Sequence, residues 1–188
     1  MRRSIGVLGA SLLAIGASLA GTAGVAAEGV DPALAAVIAG EHRPAANKAR
    51  DQYRHPAETL TFFDLKPDMR VVEVWPAGGW YTKAEFIQLG IKAFRDKLAA
   101  RPDLYGGTEM TVLSFPDKTV IATPGSADLV LTFRNIHNWM GGGNAEKAFA
   151  AMYAALKPGG VLGVVEHRAK TDSPQDPKAS SGYVREDY

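Results

Sequence analysis

Short runs of apolar, β-branched residues recur along the chain, and each run stops at a turn. The first run, VVEV at residues 71–74, is followed by Pro76, Gly78 and Gly79. Apolar runs of this length, without polar alternation, are typical of strands covered on both faces. Further runs of this kind lie at residues 110–115 (MTVLSF), 127–133 (ADLVLTF) and 161–166 (VLGVVE). The pattern therefore predicts four strands.

Helical patterns separate these runs. The segment DPALAAVIAG at residues 31–40 has Asp31 as a capping residue, Pro32 at the first helical position and Gly40 at its end. The alternation of strands and helices predicts an α/β domain with a doubly wound, mostly parallel sheet. Further helices are predicted at residues 44–55 (ended by Pro56), 83–100 (amphipathic) and 145–156, with a helix stop and turn at residues 157–160 (KPGG).

The turn after the first strand is the first place to expect a ligand. Glu73 lies at the end of that strand, and in an open parallel sheet small molecules bind at the carboxyl ends of the strands. Gly78 and Gly79 have no Cβ, so a ligand can approach the exposed backbone N–H groups. By contrast, Leu60, Phe62 and Phe63 are predicted to be core residues, because burial is the usual role of such a cluster.

Composition narrows the function classes. The chain has 188 residues, of which 46% are hydrophobic and 22% charged, and this is ordinary for one globular domain. A net charge of +1 provides no basic surface for nucleic acid, so no nucleic-acid partner is expected. The chain contains no cysteine, which excludes a disulfide framework and a cysteine nucleophile. The histidines lack metal-ligand spacing and the serines lack the context of a nucleophile, so neither a metal site nor a serine triad is predicted.

The amino terminus has the pattern of an export signal. Arg2 and Arg3 precede an apolar stretch and then the small residues GTAGVAA, which predicts a signal peptide at residues 1–27. The protein is then expected to be periplasmic or secreted, with no stable membrane insertion once the signal is removed. A retained membrane anchor and a twin-arginine signal are the alternatives. Residues 28–188 are expected to form one domain, with a helical cap (28–65), a sheet core (66–168) and a mobile tail (169–188).

Three segments occur in an order that resembles a known family. They are VVEVWPAGGWYT, PGSADLVLTFRNIHNW and ALKPGGVLGVVEHR. Together they resemble the class I S-adenosylmethionine-dependent methyltransferases, in particular an exported bacterial branch with a WPGGGWYT turn. The resemblance extends over roughly residues 43–188. It implies a Rossmann-like methyltransferase fold, S-adenosylmethionine as the cofactor and an acceptor that the sequence does not identify.

The resemblance also implies roles for individual residues. It implies that the segment with Arg54 and His55 folds over the pocket. His137 is a candidate general base on the methyl acceptor because it lies just past the carboxyl end of a predicted strand and because histidine transfers protons near neutral pH. The plain alternatives are a structural histidine and a solvated arginine, while Glu166 and His167 are expected to be ordinary polar groups at a strand end. The implied cofactor-binding residues are Glu73, Pro76, Ala77, Gly78, Gly79, Trp80, Tyr81, Arg134 and Asn135.

A second interpretation stays open: an exported methyltransferase-like protein that has lost cofactor binding and acts as a binding or structural module. It depends on the expected export to a compartment where that cofactor is not expected to be supplied, and on three departures from the family's pattern. Only Gly79 remains of the family's G-x-G-x-G turn, no second strand with a terminal acidic residue is predicted between residues 82 and 110, and few residues follow Arg168. The fold is therefore expected to be an incomplete version of the family's sheet.

Overall fold

The computed structural model describes residues 29–76 and 99–188. Three strands in these ranges form a parallel sheet in the order β1-β2-β3: β1 Val71–Val74, β2 Ala127–Phe133 and β3 Leu156–Val165. The sheet is flanked by helices, so the predicted α/β class with a parallel sheet is confirmed. The helices are α1 Pro32–Ala39, α2 Ala45–Lys48, α3 Asp51–Arg54, α4 Pro56–Phe62, α5 Pro102–Tyr105, α6 Ile136–Gly141 and α7 Ala145–Ala155.

The central strand β2 is covered on both faces, as its unbroken apolar sequence predicts. Leu129 and Leu131 pack on one side with Leu60 and Phe63 from α4 and the residue after it. Val130 points to the opposite side, where it joins a cluster formed largely by α6 and α7. That second cluster also includes Val74, Trp139, Ala148, Ala151, Met152 and Ala155.

Glycine at position 163 allows α4 to lie close to the sheet. A Cβ at this position would come within 2.5 Å of the Leu131 side chain and 2.9 Å of the Phe63 ring. Leu60 and Phe63 are buried as predicted, whereas Phe62 is 83% exposed and is not a core residue. Successive helical residues point in different directions, so only part of the aromatic cluster can face the sheet.

The amino-terminal segment follows the sequence at one helix and departs from it at the next. The Asp31 carboxylate accepts hydrogen bonds from the backbone N–H groups of Ala33 (2.7 Å) and Leu34 (3.1 Å), so α1 is capped as predicted. The helix predicted at residues 44–55 is instead two single turns, α2 and α3. Arg43 lies in the loop between α1 and α2, is 8% exposed and binds both carboxylate oxygens of Asp51 at 2.7 Å. This bidentate pair holds the start of α3 against that loop.

Two further predictions from local sequence were wrong. Residues 110–115 form no strand; this segment instead folds back through an isolated bridge between Ser114 and Lys118. Residues 157–160 form no free turn, because β3 already begins at Leu156. They form a bulge in β3: Ala127 of β2 pairs with Leu156, and the next aligned pair is Leu129 of β2 with Val161. Gly159 has a φ of +78°, which glycine adopts without strain, so the extra residues fit within the strand.

The segment at residues 169–188, for which composition predicts mobility, makes defined contacts with the domain. The Val184 N–H donates to the His167 carbonyl and the Ala169 N–H to the Val184 carbonyl, both at 2.9 Å. Ala179 is 3% exposed and belongs to the same cluster as α6 and α7. The tail therefore lies against the end of β3. Within the described ranges, no helix combines the length and apolar character needed to cross a membrane.

Candidate functional site

The carboxyl ends of the three strands lie at one edge of the sheet, as the parallel order requires. Trp75 and Pro76 follow β1, Arg134 and Asn135 follow β2, and Glu166 follows β3. Ligand-binding and catalytic groups concentrate at this edge in open parallel sheets. Pro76, Arg134 and Asn135, which were predicted from separate parts of the sequence, therefore lie at the same edge of the sheet.

Asn135 joins the ends of β1 and β2. Its side-chain amide is buried and donates to the backbone carbonyls of Val74 (3.1 Å) and Trp75 (3.0 Å), and it lies 3.0 Å from the Thr132 hydroxyl. An amide has two N–H groups, so these contacts use its donors. Asn135 was predicted to bind a cofactor, and the contacts that the structure shows for its amide are with two backbone carbonyls and the Thr132 hydroxyl.

Two residues at these strand ends have left-handed backbones. The φ angles are 48° at Trp75 and 60° at Arg134, values that are uncommon for residues other than glycine. The Trp75 ring packs edge-on against buried Trp139 at 5.5 Å between ring centres, and its indole N–H donates to the Leu113 carbonyl at 3.3 Å. The Arg134 N–H donates to the Val165 carbonyl at 2.7 Å. These contacts turn the chain sharply at the edge where the candidate residues meet.

His137 lies in the first turn of α6 and is held by Glu166. α6 begins at Ile136, directly after the turn that follows β2. Glu166 Oε1 lies 3.0 Å from His137 Nδ1, and Glu166 Oε2 lies 3.3 Å from the His137 backbone nitrogen. The side chains are 20% and 12% exposed. A carboxylate can only accept hydrogen bonds, so Nδ1 carries the proton and Nε2 of the neutral ring is left as the acceptor.

Glu166 makes a third contact, which extends the cluster to the next residue. Its Oε1 accepts a hydrogen bond from the His167 N–H at 2.7 Å. The His167 ring lies 5.9 Å from the His137 ring and 5.6 Å from the Tyr183 ring, measured between ring centres. The end of β3, the start of α6 and the carboxyl-terminal segment thus form one row of rings.

Burial and nearby charged groups shift the pKa of His167. Partial burial lowers the pKa of His167 below its ordinary value, and the charges of Arg134, of His137 in its protonated form and of Arg54 lower it further. Glu166 acts in the opposite direction. Arg54 lies at the end of α3, and the role of its segment as a cover of the pocket stays a prediction.

The remaining predicted residues fall in different places. Glu73 is half-buried on β1, paired in register with Leu131 and hence on the side of the sheet that α4 covers. Pro76 follows directly after β1. His55 is exposed, with its ring 3.6 Å from Glu58. Ala77, Gly78, Gly79, Trp80 and Tyr81 lie outside the described residues, as does most of the helix predicted at residues 83–100.

Sequence analysis did not assign a functional role to Glu166 or Tyr183. Glu166 was interpreted as an ordinary polar group at a strand end, and Tyr183 was not singled out. The sequence offers one signal for Glu166, because its place directly after a predicted parallel strand puts it at the same edge as His137. No comparable local signal identifies Tyr183, because its position depends on how the tail folds back.

A cleft of about 340 Å3 lies away from this edge. It is bounded by α7 and the segment at residues 116–124, including Val120, Ile121, Lys147 and Ala154. None of its lining residues belongs to the group at the strand ends. Within the described residues, no group of histidines and carboxylates has the arrangement of a metal site.

Comparison of the chain with known proteins found no match. No protein-family model matches the chain. No curated protein and no solved structure shows significant similarity to it. The arrangement of residues at the carboxyl edge of the sheet is therefore the observation from which a function must be argued.

Proposed function

We propose that this protein is an exported S-adenosylmethionine-dependent methyltransferase in which His137 is the general base. One observation carries the proposal: His137 is oriented by the Glu166 carboxylate at the edge of a parallel sheet where such enzymes act. The sequence resemblance to class I methyltransferases supports it independently. In this proposal, the three parallel strands form part of a doubly wound methyltransferase sheet.

The pair provides what a general base needs. Glu166 contacts both the ring and the backbone of His137, which fixes the tautomer and the direction of Nε2. Nε2 can then take the proton from the nucleophilic O–H or N–H of an acceptor as that atom receives the methyl group. S-adenosylmethionine, when bound, supplies the electrophilic methyl group. The protein contributes mainly by positioning the acceptor and by accepting its proton.

In this proposal, Glu73 and Pro76 receive the amino-acid end of the cofactor. Glu73 places a half-buried carboxylate at the end of β1, where it can accept hydrogen bonds from an ammonium group. Pro76 begins the turn that the resemblance assigns to the cofactor. Asn135 has an indirect role in this proposal, because it holds the end of β1 against β2 and so fixes where that turn begins.

A thermal unfolding scan of the full chain with S-adenosylmethionine or S-adenosylhomocysteine tests the proposal. A ligand that binds only the folded state at a hundredfold excess over its Kd adds about 2.7 kcal/mol of stability, which raises Tm by several degrees. The shift should disappear in Glu73→Gln and persist in His137→Asn, because His137 acts on the acceptor. A cooperative transition that neither compound moves would exclude this function.

One structural observation favours the second candidate, a methyltransferase-like module without cofactor binding. The donors of Asn135, an implied cofactor ligand, are used by the backbone carbonyls of Val74 and Trp75. In that case the carboxyl edge would be a binding surface, and His137 and Glu166 would only join α6 to β3. The same scan separates the two candidates, because only an enzyme is stabilised by both compounds.

A further inference from the structure

The cleft between α7 and the segment at residues 116–124 is a cavity that the proposed function does not use. We call it the α7 cleft. Its volume of about 340 Å3 lies at the lower end of the range for small-molecule sites, about 300–1,000 Å3. Thr119 and Lys147 provide polar groups, and every other described residue that lines the cleft is alanine, valine, isoleucine or proline. Size and lining therefore suit one small, largely apolar molecule.

The walls of the α7 cleft are held in place by the rest of the domain. Ile121 is 6% exposed and belongs to the core, and its carbonyl accepts a hydrogen bond from the Thr111 hydroxyl at 2.6 Å. The Gly125 and Ser126 N–H groups donate to the carbonyls of the last two residues of α7, at 2.9 and 3.0 Å. The segment is thus fixed to the core and to the end of α7, so a ligand would enter a cleft that is already formed.

The apolar lining of the cleft is partly open to solvent. Val120 is 70% exposed, whereas its neighbour Ile121 points into the core. Besides Lys147, α7 contributes small side chains to the cleft, and these are Ala150, Ala151, Ala154 and Ala155. An aliphatic chain lying along these side chains would remove apolar surface from water, which is favourable.

Lys147 adds a positive charge to this lining. Within residues 29–76 and 99–188, no carboxylate forms an ion pair with its ammonium group. The residues three and four positions away, where a helical ion-pair partner would lie, are glycine, asparagine and two alanines. None of the described residues that line the cleft is Asp or Glu. The charge of the cleft lining is therefore complementary to an anionic group.

We propose that the α7 cleft binds an aliphatic monocarboxylate. The hydrocarbon chain lies against Val120 and the alanines of α7, and the carboxylate pairs with the Lys147 ammonium group. A lysine is a compact point charge, which suits a single carboxylate at the end of a flexible chain. The site shares no residue with the group at the strand ends, so it holds or fails independently of the proposed methyltransferase activity.

The test titrates the full chain with straight-chain carboxylates from butanoate to octanoate, by calorimetry at constant ionic strength. We expect saturable binding of one molecule, with an affinity that rises about fourfold for each added CH2 group while the chain still finds apolar wall. Lys147→Gln should weaken octanoate binding at least about threefold, because a charged partner at an exposed position is lost. The matched control is Lys178→Gln, which removes an exposed lysine from the tail and should bind as the wild type does.

Two further measurements separate the charge from the apolar wall. Octan-1-ol has the same chain without the charge, so its binding should be nearly the same in Lys147→Gln and in the wild type. Val120→Asp places a carboxylate at an exposed position of the cleft and should abolish octanoate binding, while a thermal scan shows that the variant is folded. No saturable octanoate binding, an affinity independent of chain length, or equal octanoate binding by Lys147→Gln would overturn the inference.

The last arm repeats the octanoate titration with saturating S-adenosylhomocysteine. Unchanged octanoate binding supports a separate site, whereas competition would move the carboxylate to the strand ends and overturn the inference. If octanoate binds to the α7 cleft but neither S-adenosylmethionine nor S-adenosylhomocysteine raises Tm, the proposed function fails while the cleft site stands.

Discussion

Glu166 accepts hydrogen bonds from both the ring nitrogen Nδ1 and the backbone nitrogen of His137, at 3.0 and 3.3 Å. The two residues are 29 positions apart and belong to different elements, the end of β3 and the first turn of α6. The contact fixes one imidazole tautomer at the carboxyl edge of a parallel sheet. This relationship underlies the proposed general base.

Replacing Glu166 by Gln should release the His137 tautomer. A glutamine side chain can donate as well as accept, so it no longer requires the proton to lie on Nδ1. We expect 15N NMR of the neutral ring to change from predominantly protonated Nδ1 to a mixture of tautomers. The free energy of unfolding should fall by about 1–3 kcal/mol, because a charged hydrogen bond is lost.

The control for this substitution is Glu58→Gln, which removes an exposed carboxylate 3.6 Å from His55. Neither the His137 tautomer nor the stability should change measurably there, since exposed pairs contribute little. An unchanged His137 tautomer in Glu166→Gln would contradict the orienting role.

Asn135→Ala should destabilise the domain. The substitution leaves the buried Val74 carbonyl and the partly buried Trp75 carbonyl without the amide that donates to them, at an expected cost of about 1–3 kcal/mol. Asn138→Ala is the matched control, because Asn138 is exposed and makes only a 3.4 Å contact with the Arg134 carbonyl. Chemical denaturation should show a lower midpoint for Asn135→Ala alone, and equal midpoints would disprove the proposed link between β1 and β2.

Gly163→Ala should also destabilise the protein, but through packing. The added methyl group would lie within 2.5 Å of Leu131 and 2.9 Å of Phe63, so α4 or the strand must shift, at a cost of about 1–3 kcal/mol. Gly107→Ala adds the same methyl group where nothing lies within 4 Å. Denaturation curves of the two variants provide the comparison; a Gly163→Ala protein as stable as Gly107→Ala would show that α4 does not pack closely there.

The lowered pKa of His167 predicts a pH effect. In the unfolded chain, His167 has its ordinary pKa near 6.5 and takes up a proton as the pH falls through that value. In the folded protein its pKa is lower because of burial and the charges of Arg134, protonated His137 and Arg54, while Glu166 acts in the opposite direction. The stability contribution of neutral His167 is therefore complete above pH 6.5 and is lost as pH falls through the lower folded pKa. His167→Asn removes this dependence. Unfolding free energies measured from pH 7.5 to 5 should fall more steeply for the wild type than for His167→Asn, and parallel curves would contradict the prediction.

Local sequence was a good guide where local interactions decide the structure. The cap at Asp31 and the stop at Gly40 define α1 because both act within one helical turn. The run at residues 127–133 became β2 with the predicted bounds, because a β-branched apolar segment is stable only when both faces are covered. A local rule also placed a helix boundary before Pro56, because the residue before a proline is disfavoured in a helix: α3 ends at Arg54 and α4 begins at Pro56.

Local sequence failed where a distant contact competes with propensity. The helix predicted at residues 44–55 is divided, with Asp51 bound to Arg43 from the preceding loop. The segment at residues 110–115 has strand composition but pairs locally through Ser114 and Lys118 instead of joining the sheet. Propensity is worth tenths of a kcal/mol per residue, so one well-placed tertiary interaction can override it.

The sequence by itself determined an α/β domain with parallel strands and placed His137, Asn135 and Glu73 near strand ends. Only the tertiary structure decided what these residues contact. The register of β1, β2 and β3 brings Asn135 to the Val74 carbonyl across 61 positions, and the packing of α6 brings His137 to Glu166. Periodicity records which face of an element is buried, but a hydrogen bond between elements depends on how the elements are aligned, and that alignment is set by the whole sheet.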